Sequence, residues 1–214
     1  RINSQFNPPF GKPSRPCVIV TRPRDRSAPL ARALRARGLR PVFAPLIRTV
    51  PPRSWAALDK ALKRLRDFDA VAFASVTAVD AFFSRSHRRP GRPHVVGAVG
   101  PATAAALSAR GWKADLIPEE ATGKGLGRAF CLARGATVLL PRAEKGRPEL
   151  PRLLRRAGVR LTVVTAYRTV DDPAGAAVLK KALDGRAACV TFASGSAVTA
   201  ARKRLGLARL RRAR

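Results

Sequence analysis

The chain has no methionine, one tyrosine, two histidines and three cysteines, and its 13 acidic residues stand against 43 basic ones. These shortages exclude several kinds of chemistry. Cys17, Cys131 and Cys189 lie far apart and never in a C-x-x-C spacing, so neither a disulfide framework nor a cysteine zinc site is expected. Cys17 and Cys189 each open an apolar strand run, where a thiol is expected to behave as a small buried hydrophobe. The cysteine usage fits a reducing cytoplasm. His87 and His94 fall in one basic loop region, and there is no H-E-x-x-H, P-loop or G-x-S-x-G. No metal site and no serine triad is therefore expected. Arg, Lys or Pro interrupts every apolar run well short of the roughly eighteen residues a membrane helix requires, so no membrane partner is expected. With Arg1 in first place and no methionine, the sequence reads as a fragment or processed product whose start lies upstream. Residues 1–15 are rich in Asn, Pro and Gly, and the expectation is a mobile tail.

What the chain does have is 46% hydrophobic residues, enough for a real core, and a net charge of +30. That charge raises one alternative, a basic two-lobed nucleic-acid-binding module without catalysis, whose affinity would fall steeply with salt. Two features argue against it. Arginine outnumbers lysine several-fold and is spread over nearly every helical segment, and the sparse aromatics sit inside apolar runs rather than among the basic residues, as base stacking requires.

The most informative feature is a repeat. Val18 to Val50 lies over Val138 to Val170 without a gap, with eleven of thirty-three positions identical, including Arg22 with Arg142, Leu30 with Leu150, Leu34 with Leu154 and Gly38 with Gly158. Each copy reads as strand, helix, glycine, strand, the glycine standing where a helix ends in a left-handed turn. A second pair follows: Val71 to Val79 matches Val190 to Val198 at six of nine positions. The order is A, B, A′, B′. Unit B continues through Val95 to Ala104 and beyond, whereas the chain reaches Arg214 where B′ would do the same. The expectation is an outer lobe truncated at its C-terminal end.

Alternating strands and helices predict an α/β fold of two similar lobes, each a parallel sheet flanked by helices. One economical arrangement pairs B with A′ in a central lobe, 53–166, and A with B′ in a discontinuous outer lobe, 16–46 plus 172–214. A two-segment linker, 47–52 and 167–171, then joins them. The periodicity equally permits A with B. Gly123-Lys124-Gly125-Leu126-Gly127 follows no strand, so it reads as a loop entering a helix rather than a dinucleotide fingerprint.

Open α/β sheets bind ligands at the carboxyl ends of their strands, where the first N–H groups of each following helix favour anions. The polar residues expected there are Arg22, Ser75, Thr103, Arg142 and Ser194. Ser75, Thr103 and Ser194 also fit ordinary helix caps. Tyr167 ends A′ where its repeat counterpart is Ile47. A phenol there suits either proton donation or interface packing.

Taken in order, Val18-Ile19-Val20-Thr21-Arg22-Pro23, Asp69-x-Val71-x-Phe73-x-Ser75, Val99-Gly100-Pro101-Ala102-Thr103-Ala104, Leu140-Pro141-Arg142-Ala143-Glu144 and Val164 to Thr169 resemble the uroporphyrinogen-III synthase family. The resemblance runs from Cys17 to about Val198. It implies a cytoplasmic, monomeric, cofactor-free lyase of haem biosynthesis acting on the linear tetrapyrrole hydroxymethylbilane. Water is lost, the D ring inverts through a spiro intermediate, and the macrocycle closes to uroporphyrinogen III. It further implies that two α/β lobes hold the substrate in a cleft, with the outer lobe discontinuous. Tyr167 takes the place of the tyrosine that assists departure of the hydroxyl, and Ser75, Thr103 and Ser194 take cleft positions. A substrate with eight carboxylates calls for many anion contacts, which Arg22 and Arg142 suit. The family's second Gly-x-x-Thr turn has no counterpart in this chain.

Overall fold

Strict alternation in the short strand Ala70–Phe73 fixes the layering of the larger unit. Val71 and Phe73 point to one face of the sheet and Ala70 and Ala72 to the other, and both faces are fully buried. The structure is a computed structural model describing residues 16–24, 27–86, 91–130, 132, 134–184 and 189–211, with 207–211 as backbone alone. The tail expected over 1–15, and His87 and Cys131, lie outside the described residues.

The chain forms two compact units, Arg1–Arg48 with Val170–Arg214, and Thr49–Thr169. In order the elements are β1 (Cys17–Val20), α1 (Ala28–Ala36), β2 (Arg40–Phe43), β3 (Ile47–Val50), α2 (Ala56–Lys63), β4 (Ala70–Phe73), α3 (Val76–Arg85), β5 (Val95–Ala98), α4 (Pro101–Ser108) and α5 (Gly123–Ala129). They continue with β6 (Thr137–Ala143), α6 (Glu149–Arg156), β7 (Arg160–Asp171), α7 (Pro173–Asp184), β8 (Cys189–Thr191) and α8 (Gly195–Arg211). One sheet has the order β2-β1-β8 and the other β3-β7-β6-β4-β5. The segments expected as linkers are thus extended strands, β3 and the end of β7, neighbours in one sheet.

The repeat is carried in the strand register. Cys17 pairs with Arg40 in β1/β2 and Thr137 with Arg160 in β6/β7, both parallel and the same number of residues apart. Gly38 and Gly158 take φ of 73° and 79°, so each helix closes in the left-handed turn that glycine adopts without steric cost. In B and B′ a serine caps the helix after the strand: Ala78 N–H donates to Ser75 Oγ at 3.1 Å, and Ala197 N–H to Ser194 Oγ at 3.2 Å.

On one face of the five-stranded sheet, Val71, Phe73, Val96, Ala98, Leu139 and Val164 pack with Leu58, Phe82, Leu107 and Trp112. On the other, Ala70, Ala72, Val138 and Leu140 meet Leu126, Phe130, Leu150 and Leu154. The smaller unit has its own core of Ile19, Ala44, Leu46, Leu179, Ala200 and Ala201. Two expectations fail here. Gly123 to Gly127 is helix rather than loop, capped by Thr122 Oγ1, which accepts from Gly125 N–H at 2.9 Å. Glycine is tolerated there because α5 runs hard against α6: a Cβ on Gly127 would lie 2.9 Å from that of Leu153. Cys189 is exposed, not buried, while Cys17 is half-buried against the core.

Asp69 ties the start of β4 to that of β6. Its Oδ2 accepts from Thr137 N–H at 2.7 Å and from Thr137 Oγ1 at 2.8 Å, and these bonds hold its carboxyl below the ordinary aspartate value of 3.8. A carboxylate lowered by folding stabilises the fold above its unfolded pKa, and that contribution is lost as pH falls through the lower folded value. Asp69→Asn is therefore expected to lower Tm at neutral pH and to flatten the fall of Tm below about pH 4. Thermal melts of both proteins on the acid side check this.

Candidate active site

Strands β7, β6, β4 and β5 are neighbours, and the β6/β7, β4/β6 and β4/β5 pairings are all parallel, so their carboxyl ends share one edge of the sheet. Along that edge stand Tyr167 from β7, Arg142 from β6, Ser75 just after β4, and Gly100 to Thr103 just after β5. Four of the residues singled out by sequence thus come from one edge of one unit.

Tyr167 reaches its position through an irregularity. Arg142 pairs with Thr165 but Ala143 pairs with Tyr167, so β7 carries one extra residue, Ala166, between them. Val164 packs on the Phe73 side of the sheet, whereas Val163 and Thr165 line a cavity with residues of α6. Simple alternation would have sent Tyr167 to the Thr165 side. The bulge re-aims it. Half-buried, Tyr167 packs against the Phe73 cluster, and its hydroxyl lies 3.2 Å from Ser75 Oγ. Ser75 is itself fixed, since its Oγ accepts Ala78 N–H in the first turn of α3. Two hydroxyls are thereby held together at the mouth of a helix N-terminus.

Thr103 differs from the expected cap. Gly100 is the cap residue of α4, and Thr103 is the third residue of the helix, 3% exposed. Pro101 offers no N–H, and the N–H groups of Thr103 and Ala104 both donate to Gly100 O at 3.0 Å. This helix end is therefore poorer in free donors than its sequence suggests.

Arg142 lies half-buried beside an open cavity of about 310 Å³. One guanidinium N–H donates to Arg147 O at 2.9 Å. Loss of water is the main cause lowering its pKa; the Tyr167 phenol and Glu149 oppose the shift, and Arg155 adds to it by like-charge repulsion. Gly146 is the residue that sequence reasoning missed, for a Cβ there would overlap the Arg142 guanidinium.

The other two candidates belong to the smaller unit. Arg22 follows β1, its side chain exposed and its carbonyl, with that of Pro23, facing the buried Ser27 hydroxyl, which donates to Pro23 O at 2.8 Å. Ser194 follows β8 and caps α8. Both stand at the carboxyl edge of the β2-β1-β8 sheet, whose two pairings are parallel. That sheet is latched there by Thr21 Oγ1, which donates to Thr191 O at 2.7 Å.

A family model described as uroporphyrinogen-III synthase HemD matches residues 28–212, which is most of the chain. The chain belongs to the uroporphyrinogen-III synthase family. A protein of Synechococcus elongatus named uroporphyrinogen-III synthase is 34% identical over 158 residues, 71% of this chain and 60% of that protein. The porphyrin biosynthesis protein HemD of Ruminiclostridium josui is 28% identical over 189 residues, 85% of this chain and 38% of that protein. The chain thus spans less than two thirds of the length of either relative. Among solved structures, a mutant uroporphyrinogen III synthase from Thermus thermophilus superposes with a TM-score of 0.69 at 20% identity, covering 92% of this chain and 80% of that one. The Helicobacter pylori enzyme gives 0.53 at 16% identity, covering 88% of this chain and 78% of that one. At such identities the likeness establishes the α/β fold. Among the described residues no helix is long and apolar enough to cross a membrane.

Proposed function

We propose that this chain is a uroporphyrinogen-III synthase in activity as well as in family. It cyclises hydroxymethylbilane, with loss of water and inversion of the D ring, to uroporphyrinogen III. The observation that carries this reading is the Ser75–Tyr167 hydroxyl pair, 3.2 Å apart on the carboxyl edge of the sheet in a member of this family. Loss of a hydroxyl from a carbon needs a proton on the departing oxygen, and a phenol is a competent donor when it is oriented. Either hydroxyl of the pair can donate to the other; with Ser75 Oγ as donor, the phenolic proton is left for the substrate.

Ring closure with and without inversion compete from the same intermediate. The protein's task is to hold the chain so that one transition state is favoured. Arg22, Arg142 and Ser194 are the proposed contacts to the substrate's carboxylates. The net reaction involves no change of oxidation state and so needs no redox cofactor, and we propose that it proceeds without one of any kind. We further propose that the protein acts as a monomer in the cytoplasm. The family match favours this reading over a nucleic-acid-binding module.

The test is to supply hydroxymethylbilane and separate the products. Uroporphyrinogen III is expected. Isomer I alone, formed at the uncatalysed rate, would overturn the proposal.

A further inference from the structure

The cavity beside β7 is lined by three arginines, Arg142, Arg152 and Arg155, and by one acid, Glu144. Glu144 is turned partly elsewhere, with Arg53 Nε 3.5 Å from its carboxylate. Arg152 and Arg155 stand one turn apart on α6, both exposed, and neither guanidinium makes a hydrogen bond or ion pair among the described residues. Arg142 is held beside Gly146 by its bond to Arg147 O. Three cations and one acid leave this open cavity net positive, which favours a negative group in it.

The repeat supplies a second, independent observation. The three arginines align with Arg22, Arg32 and Arg35 of the first copy. Other shared positions have a structural reason: Leu150 and Leu154 are buried, and Gly158 turns the chain with positive φ. All three cavity positions keep arginine in both copies, as do the pairs Arg40 with Arg160 and Arg48 with Arg168 outside the cavity.

We propose that the cavity bounded by Arg142, Arg152 and Arg155 is a binding site for a carboxylate or phosphate group. It adjoins the Ser75–Tyr167 pair without being lined by it: the bulge at Ala166 puts Tyr167 with the Phe73 cluster, near enough to act on the Arg142 charge, while Val163 and Thr165 line the cavity. The planar guanidinium fork suits two-oxygen recognition, and the held Arg142 provides a preorganised floor. The anion is either a free small molecule or a carboxylate arm of the proposed substrate. Only the second source rests on the function proposed above.

Binding of inorganic phosphate to the full chain, followed by calorimetry and by arginine Nε–H NMR signals, needs no turnover and so stands apart from that function. The double variant Arg152→Ala/Arg155→Ala is expected to weaken phosphate binding at least about tenfold. Lys124→Ala/Arg128→Ala removes the same charge from α5, away from the cavity, and is expected to leave binding unchanged. Arg152→Lys/Arg155→Lys guards against misfolding: it keeps the charge but loses the fork, and intermediate affinity is expected. No phosphate binding to the native chain, or equal weakening by the α5 variant, would overturn the proposal. Kinetics then separate the sources. Phosphate competing with hydroxymethylbilane, with a raised KM in the alanine variant, identifies a substrate arm; an unchanged KM identifies a free anion.

Discussion

Replacing Tyr167 by phenylalanine is expected to lower kcat for uroporphyrinogen III formation by about 10²- to 10⁴-fold, the usual worth of a positioned general acid, with little change in KM. Only one oxygen is removed. The ring keeps its packing against the Phe73 cluster, and the backbone keeps its bond from Glu144 N–H to Tyr167 O at 3.0 Å, so the fold has no reason to change. Ser75→Ala also removes a hydroxyl but should cost less in rate, because it disorients the phenol without deleting the proton. It also deletes a helix cap, worth about 0.5–2 kcal/mol of stability. The two effects separate in the double variant. If Ser75 acts through Tyr167, adding Ser75→Ala to Tyr167→Phe lowers Tm as before but produces almost no further loss of kcat. Equal kcat for Tyr167→Phe and the native chain would remove the phenol from the mechanism.

The largest effect on stability is expected from Phe82→Ala. Phe82 is fully buried on α3, with its ring edge-on to Phe73 at 5.3 Å, Phe83 at 5.3 Å and Trp112 at 5.7 Å. Truncating such a residue costs about 3–5 kcal/mol, from lost burial and from the cavity left behind. The consequence reaches the active site, because α3 begins at Ser75 and Phe73 ends the strand before it. A shift of α3 into the vacated space carries Ser75 away from Tyr167. Both tryptophans, Trp55 and Trp112, lie in the Thr49–Thr169 unit, so urea unfolding followed by tryptophan fluorescence reports on that unit alone. An unfolding free energy within a few tenths of a kcal/mol of the native chain's would show that the aromatic cluster does not hold the unit together.

Much of this was legible from residues alone because the relevant physics is local. The gapless repeat put the strand, helix and strand of A over those of A′, and Gly38 and Gly158 marked helix ends that a left-handed turn closes. Matching offsets put Ser75 and Ser194 at equivalent caps. What escaped depended on contacts between distant segments. The bulge at Ala166 leaves no local signature, yet it decides which face Tyr167 occupies. The glycines of α5 looked like a loop because the neighbours of two of them, Leu150 at Gly123 and Leu153 at Gly127, are more than twenty residues away in sequence. Gly146 lies only four residues from Arg142, but its approach to that guanidinium depends on how the turn folds back and not on the local pattern. Cys189 opens an apolar run but stands exposed on an edge strand, since burial there is set by what covers the sheet and not by the run itself.

The central claim is that this chain converts hydroxymethylbilane to the inverted isomer at the edge bearing Ser75 and Tyr167. The most direct measurement is the ratio of uroporphyrinogen III to isomer I over a range of protein concentrations, for the native chain and for Tyr167→Phe. The ratio should rise in proportion to native protein and stay near its protein-free value with equal amounts of the variant. A ratio independent of native protein, with isomer I the sole product throughout, would contradict it.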